Sequence, residues 1–229
     1  MIRVLAIESA TPRGSVALAE PGTVIAEEPL PPGRQPSETF LAATMGLLRR
    51  AGIGPGEVTH VAVSAGPGSF TGLRVGMSAA KGFAFGWSVP LVAVPTLHAL
   101  AIRFRIGGVT ICPVLDAKKK EVYAGFYRWE DDVCVSVAPD AAIAPDRLTD
   151  ILPPGRILFC GEGIGPYGAL FRERLGERAL FPPPGEEFPS AGTVGLLAAS
   201  LIAEGKTADV RFAIPRYIRR SEAEIRRDS

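Results

Sequence analysis

The sequence predicts a duplicated α/β fold of two similar lobes, and three observations carry that expectation. Apolar runs of strand length alternate with runs of helical period along the 229 residues. The chain opens on a strand, turn, strand pattern, "IRVLAIESATPRGSVALAE", whose first strand closes on the acid Glu8. The same layout then restarts in "VTICPVLDAKKKEVYAGFYRWE" (109–130), so that Asp116 repeats Glu8 after 108 residues. With 47% apolar residues, the chain can bury a large core.

Residues 2–7, 15–19 and 23–27 read as three strands separated by the turn-rich "SATPRG" and "EPG". A proline-rich loop follows, then a helix from Glu38 to Arg50 with Ser37 as N-cap and Gly52 as C-cap. Its apolar stripe is Phe40, Leu41, Thr44, Met45 and Leu48. A buried strand over 58–66 leads into a helix over 69–86, a strand over 91–94 and a helix in "PTLHALAIRFR". The restart near Ile106-Gly107-Gly108 divides the chain into lobes 1–107 and 108–229. The second lobe continues with a strand over 133–138, a helix over 146–152, a strand over 156–160 and helices over 166–175 and 191–204. That last helix is assignable to either lobe.

This duplicated layout is that of the actin-like ATPase fold (the ASKHA, ribonuclease H-like class) shared by actin, hexokinase and the Hsp70 ATPase domain. There the two acid-closed hairpins face each other across a nucleotide cleft. The corresponding residues here are Glu8, Ser9 and Thr11 from the first half and Asp116 from the second. Gly161 and Gly163 of "GEGIGPYG" stand where an adenosine-contacting loop would lie.

Lysine and arginine (25) nearly balance aspartate and glutamate (24), so no global field draws nucleic acid or an anionic membrane, and any such contact is local. Cys112, Cys134 and Cys160 are too scattered for a disulfide framework or a cysteine zinc site. With neither a signal peptide nor a run long enough to span a bilayer, a cytoplasmic protein is expected.

The glycine-rich stretch "SAGPGSFTGLRVG" (64–76) invites a phosphate-loop reading, but it lacks the G-x-x-x-x-G-K-[ST] of a Walker loop. It also lacks the third glycine of a dinucleotide fingerprint, with Thr71 in its place, and no acid lies between Val58 and Leu115. Gly72, Gly76 and Gly82 sit inside a helix at about 1 kcal/mol each relative to alanine. Gly72, Gly76, Ala79 and Ala80 share a face that admits a close helix backbone, either within the subunit or in a partner. His60 and His98 lack metal-ligand spacing and read as structural. Asp116 is either a magnesium-holding acid or a turn cap, and Lys118, Lys119 and Lys120 form a solvated hairpin tip or steer an acidic partner. The tail carries Arg216, Arg219, Arg220, Arg226 and Arg227 beside Glu222 and Glu224, a mixed-charge segment open to a local RNA contact.

The set "VLAIESAT", "GSVAL", "VAVSAGPGSFTGLRVGMSAAKGFA", "VPTLHALA", "DAKKKEVYAGFY" and "PRYIRR" resembles the TsaB (YeaZ) family across essentially the whole chain, with residues 64–85 the most specific block. The resemblance implies a noncatalytic paralogue of TsaD. Such a protein pairs with TsaD and, with the ATPase TsaE, supports threonylcarbamoyl transfer to N6 of adenosine 37 in tRNAs that read ANN codons. It implies no catalytic or metal-binding residue in this chain, with ATP or ADP and magnesium at most weak or shared at the complex interface. The family's pairing surface, also used for homodimers, maps to helices near 38–50 and 69–86 and implies Phe40, Leu41, Met45, Leu48, Leu73, Gly76, Met77 and Ala80 as contacts. Many relatives carry a histidine where "GRQPSE" places Pro36, which reinforces the noncatalytic expectation. The alternative is an active enzyme of the same fold, a small-molecule kinase or a metal-dependent glycopeptidase.

Overall fold

Strand β1 (Val4–Glu8) alternates its side chains between two apolar layers, and the first lobe is built on that alternation. A computed structural model describes residues 1–31 and 36–218, so Gly33, Arg34 and Gln35 of "GRQPSE", and the tail residues Arg219, Arg220, Glu222, Glu224, Arg226 and Arg227, lie outside the described residues. β2 (Ser15–Glu20), β3 (Thr23–Pro29), β4 (His60–Gly66) and β5 (Leu91–Pro95) complete a sheet ordered β3-β2-β1-β4-β5. β1 pairs antiparallel with β2 and parallel with β4.

The second sheet contains β6 (Val109–Asp116), β7 (Val122–Glu130), β8 (Val133–Ile143), β9 (Arg156–Cys160) and the two-residue β10 (Ala179–Leu180). Its order, β10-β9-β6-β7-β8, repeats the first sheet strand for strand. The duplicated actin-like architecture is therefore present in the hydrogen bonding itself. β8 runs five residues beyond the expected 138, and β10 was not expected, since two residues carry no periodic signal.

Large residues face one side of the first sheet: Leu5, Ile7, Val16, Leu18, Val61 and Val63 pack under α1 (Pro36–Ala51) and α2 (Phe70–Trp87). α1 ends in a Schellman arrangement, with Ile53 N–H bonded to Leu48 O at 3.0 Å, Gly52 N–H to Arg49 O at 3.2 Å, and Gly52 at φ +67°. The expected C-cap glycine is thus in place, whereas Ser37 falls inside the helix rather than before it.

Small residues face the other side. Ala6, Ala17 and Ala62 meet α6 (Ala191–Ala203), and Gly195 of α6 sits so close that a Cβ there would lie 2.7 Å from Ala19 Cβ. The N-terminus of α6 is anchored where Ala191 N–H donates to Ser15 Oγ (2.8 Å), whose hydroxyl in turn donates to Glu27 Oε1 (2.9 Å). The helix that the sequence left between lobes therefore packs on the first sheet.

α3 (Thr96–Ala101) is shorter than "PTLHALAIRFR" and is shared: Ala99 packs toward the first sheet, Leu97 and Leu100 toward the second. α4 (Pro145–Asp150) and α5 (Ile164–Leu175) cover the far face of the second sheet, where Phe159 and Phe171 stack at 4.2 Å between centroids. After α6, residues 206–217 run back as a strap along the first lobe, with Ala208 N–H bonded to Leu91 O (2.7 Å) and Arg216 N–H to Ala65 O (2.6 Å). Among the described residues, no helix is long and apolar enough to cross a membrane.

The glycines of α2 divide by their surroundings. A Cβ on Gly72 would overlap the Ser9 carbonyl oxygen, whereas a Cβ on Gly82 or Gly86 would meet nothing within 4 Å. Gly72→Ala is therefore expected to destabilise by about 1–2 kcal/mol, overpacking outweighing the gain in helix propensity. Gly82→Ala should instead stabilise by up to about 1 kcal/mol. Urea unfolding of the two variants reads both signs.

Candidate functional site

Two surfaces bear on function: the ends of β1 and β6, and the outer face of α1 and α2. At the first, Glu8, Ser9 and Thr11 are buried and do not line an open cleft. The segment opening α2 closes over them. A Cβ on Gly68 would lie 2.6 Å from Ala10 O, those on Gly72 and Gly76 would overlap Ser9, and Ser69 N–H bonds Ala10 O at 2.7 Å. The close approach that the sequence assigned to another helix backbone is made instead by the β1–β2 turn.

Glu8 Oε1 accepts the Ala10 N–H at 2.6 Å, while Glu8 Oε2, Ser9 Oγ and Thr11 Oγ1 find no hydrogen-bond partner among the described residues. Burial pushes the Glu8 carboxyl up to about 7, against the pull of the Ala10 N–H and the Ser64 hydroxyl.

In the second lobe the expected residues do come together. Gly163 N–H bonds Val114 O at 2.9 Å, and Gly161, at φ +101°, is held so close to Val114 that only glycine fits. Asp116 is engaged on both oxygens by Lys118, by its backbone N–H at 2.7 Å and by its ammonium at 2.7 Å. Partial burial pushes Asp116 up, but the Lys118 bonds outweigh it and hold the carboxyl below its ordinary range. Nearby Glu162 is pushed up by burial and by the charge of Asp116. Lys118, Lys119 and Lys120 all take positive φ, a left-handed turn at the hairpin tip.

These residues do not fit a magnesium nucleotide as they stand. The first-lobe half is shut behind α2, and the second-lobe acid is paired with its own lysine, whereas a magnesium nucleotide calls for an open cleft and a free carboxylate. Both histidines sit in structural contacts: His98 Nε2 donates to Cys134 O at 2.8 Å and its ring stacks on Tyr127, and His60 Nδ1 lies 2.9 Å from Thr59 Oγ1.

The α1–α2 face requires a correction. Phe40, Leu48, Leu73, Gly76, Met77 and Ala80 are buried in the chain's own core, because the apolar stripes of both helices turn inward onto the sheet. Leu41, 59% exposed, and Met45 do face outward. They border a groove of about 350 Å³ lined also by Phe40, Ala79, Gly82, Phe83 and Trp87. Phe85, three residues past Gly82, is 82% exposed. The sequence signal for this groove was Gly82, a helical glycine that nothing among the described residues requires.

The family model described as TsaD, tRNA N6-adenosine threonylcarbamoyltransferase, matches residues 29–227. The tRNA threonylcarbamoyladenosine biosynthesis proteins TsaB of Escherichia coli and Bacillus subtilis are 32% and 29% identical, each over 97% of this chain and 96% of their own. The solved structure of YeaZ from Pseudomonas aeruginosa superposes with a TM-score of 0.80 at 28% identity, over 95% of this chain and all of that one.

Folding raises the Glu8 carboxyl from its ordinary 4.5 to about 7, so the native chain holds that proton more tightly than the unfolded one. Its contribution is full below pH 4.5 and is lost as pH rises through 7, by about 3 kcal/mol in all. Glu8→Gln should remove this dependence, so the stability difference between variant and parent, from urea unfolding at pH 5 and pH 8, is expected to shift in the variant's favour at the higher pH.

Proposed function

The chain belongs to the TsaB (YeaZ) family, within the wider family whose model is described as TsaD, and on that premise we propose that it is a noncatalytic subunit of the machinery that makes threonylcarbamoyladenosine in tRNA. Its work is to pair with a TsaD-like catalytic subunit, in concert with a TsaE-like ATPase, and to form a homodimer when alone.

The observation that carries this reading is the α1–α2 groove. Gly82 and Gly86 stand one turn apart in the exposed part of α2, with no contact among the described residues that a Cβ would disturb. Each destabilises its helix by about 1 kcal/mol relative to alanine, and a partner backbone lying close offsets that cost. Leu41 and Met45 supply apolar area at the rim, suited to desolvated contact rather than to water.

The noncatalytic part is supported by the sealed first-lobe turn and by the pairing of Asp116 with Lys118. On this reading any nucleotide is weakly held by the chain alone or shared with the partner. A kinase or glycopeptidase would need that turn open and that acid free.

Gel filtration with a TsaD-like protein tests the pairing. The parent chain is expected to co-elute, and Leu41→Asp or Gly82→Arg to weaken pairing at least tenfold by placing charge or bulk in a dry contact. Failure of the parent to co-elute across salt and nucleotide conditions would sink the proposal. Met77→Arg does not serve here, because Met77 is in the core and the substitution would unfold the chain.

A further inference from the structure

The stripe of α2 on the side away from α1, together with the strap that runs beside it, forms a surface of alternating cations and aromatics. Phe70, Arg74, Lys81 and Phe85 follow one another along the helix at spacings that keep them on one side. The strap lies against this stripe with opposite direction, since Lys81 Nζ donates to Arg211 O at 3.3 Å and Arg74 Nε donates to Tyr217 Oη at 3.0 Å. Arg74 is stacked 3.8 Å over Phe70, Phe70 meets Tyr217 at 5.3 Å between centroids, and Arg211 lies 5.4 Å from the Phe212 ring. Phe212 and Ile214 are 75% and 73% exposed.

The charge here is one-sided in a chain whose charges otherwise balance. α2 contributes Arg74 and Lys81 with no acid, and residues 208–217 add Arg211 and Arg216 against the single carboxylate Asp209, which Arg211 pairs at 2.7 Å, so the excess of positive charge rests on Arg74, Lys81 and Arg216. Arg216 N–H is fixed on Ala65 O, and its side chain influences Asp140, so this end of the strap is rigidly seated. Gly66 is required by that seating, because a Cβ there would overlap the Arg216 carbonyl. Phe70 and Tyr217, held by Arg74 and by each other, are thus in place beforehand, which lowers the ordering cost of a stacked ligand.

We propose that this surface, built from Phe70, Arg74, Lys81, Arg211, Phe212 and Tyr217, is a contact for the tRNA itself, taking phosphates on its cations and unpaired bases on its rings. The inference rests on the tRNA-modification reading above. A protein partner would be expected to bring acids or a complementary apolar face. RNA satisfies both halves of the surface at once, since its backbone supplies the anions and every base has a stackable face. The stripe and the groove flank the same helix, so a tRNA seated here would lie beside the paired subunit.

Fluorescence anisotropy of the full chain with an unmodified tRNA transcript, from low to physiological salt, tests this. Arg74→Ala and Arg211→Ala should each weaken binding several-fold and lower the slope of log affinity against log salt by about 1. Phe212→Ala should weaken it about tenfold with the slope unchanged. No binding by the parent chain at low salt, or binding unmoved by these three substitutions, would overturn the inference. Leu41→Asp separates the two readings: it should lose co-elution with the catalytic subunit while keeping its tRNA affinity. Pairing intact with tRNA binding insensitive to the strap removes this inference alone, and tRNA binding intact with the parent unable to pair removes the scaffold reading alone.

Discussion

The contact between the β1–β2 turn and the glycine face of α2 governs the rest of the molecule. Gly68, Gly72 and Gly76 let the helix start directly on Ala10 and Ser9, at a distance no side chain would tolerate. The turn fixes where α2 begins, and the hydrogen bond from Ser69 N–H to Ala10 O ties the two backbones together. The lost helix propensity of Gly72 and Gly76 is offset by burial on the sheet, where Met77 and Ala80 pack in one core with Val61 and Val63.

Two consequences follow for function. The first is closure: with α2 seated on the turn, Glu8, Ser9 and Thr11 become interior residues, and a carboxyl cut off from water holds its proton far above its usual range. The second is presentation. A helix pinned along one face offers two others, and in α2 one of these borders the groove with α1 while the opposite one borders the strap. A single element thus places an apolar groove and a basic, aromatic surface side by side.

The lobes are joined by specific polar contacts as well as by the shared apolar helix α3. His98 of α3 donates from Nε2 to Cys134 O at 2.8 Å and stacks on Tyr127 at 5.0 Å, while Tyr127 Oη donates to Asp140 Oδ1 at 2.6 Å within the second lobe. Burial pushes Asp140 up, while the Tyr127 hydroxyl, Arg216 and His98 pull it back. One junction therefore engages the first lobe through α3 and the second through β7 and β8. Such a network favours a fixed arrangement of the lobes.

By itself the sequence determined the duplicated α/β architecture, down to the paired acids Glu8 and Asp116, because strand alternation, turn chemistry and a repeated layout are local signals. It also determined that α2 must meet another backbone closely, since glycine inside a helix needs a reason. Only the tertiary structure decided which backbone. Gly72 and Gly76 meet the chain's own turn, and Gly82 and Gly86 meet nothing within 4 Å among the described residues, a division that no periodicity encodes because all four lie on one continuous helix. Likewise Phe40, Leu48 and Met77 read as interface or core with equal ease, because an apolar stripe records that it is buried and not what buries it. The strap was legible only as a basic tail. Its place beside α2 follows from long-range bonds to Leu91 and Ala65, contacts that come into being only when the sheet is assembled.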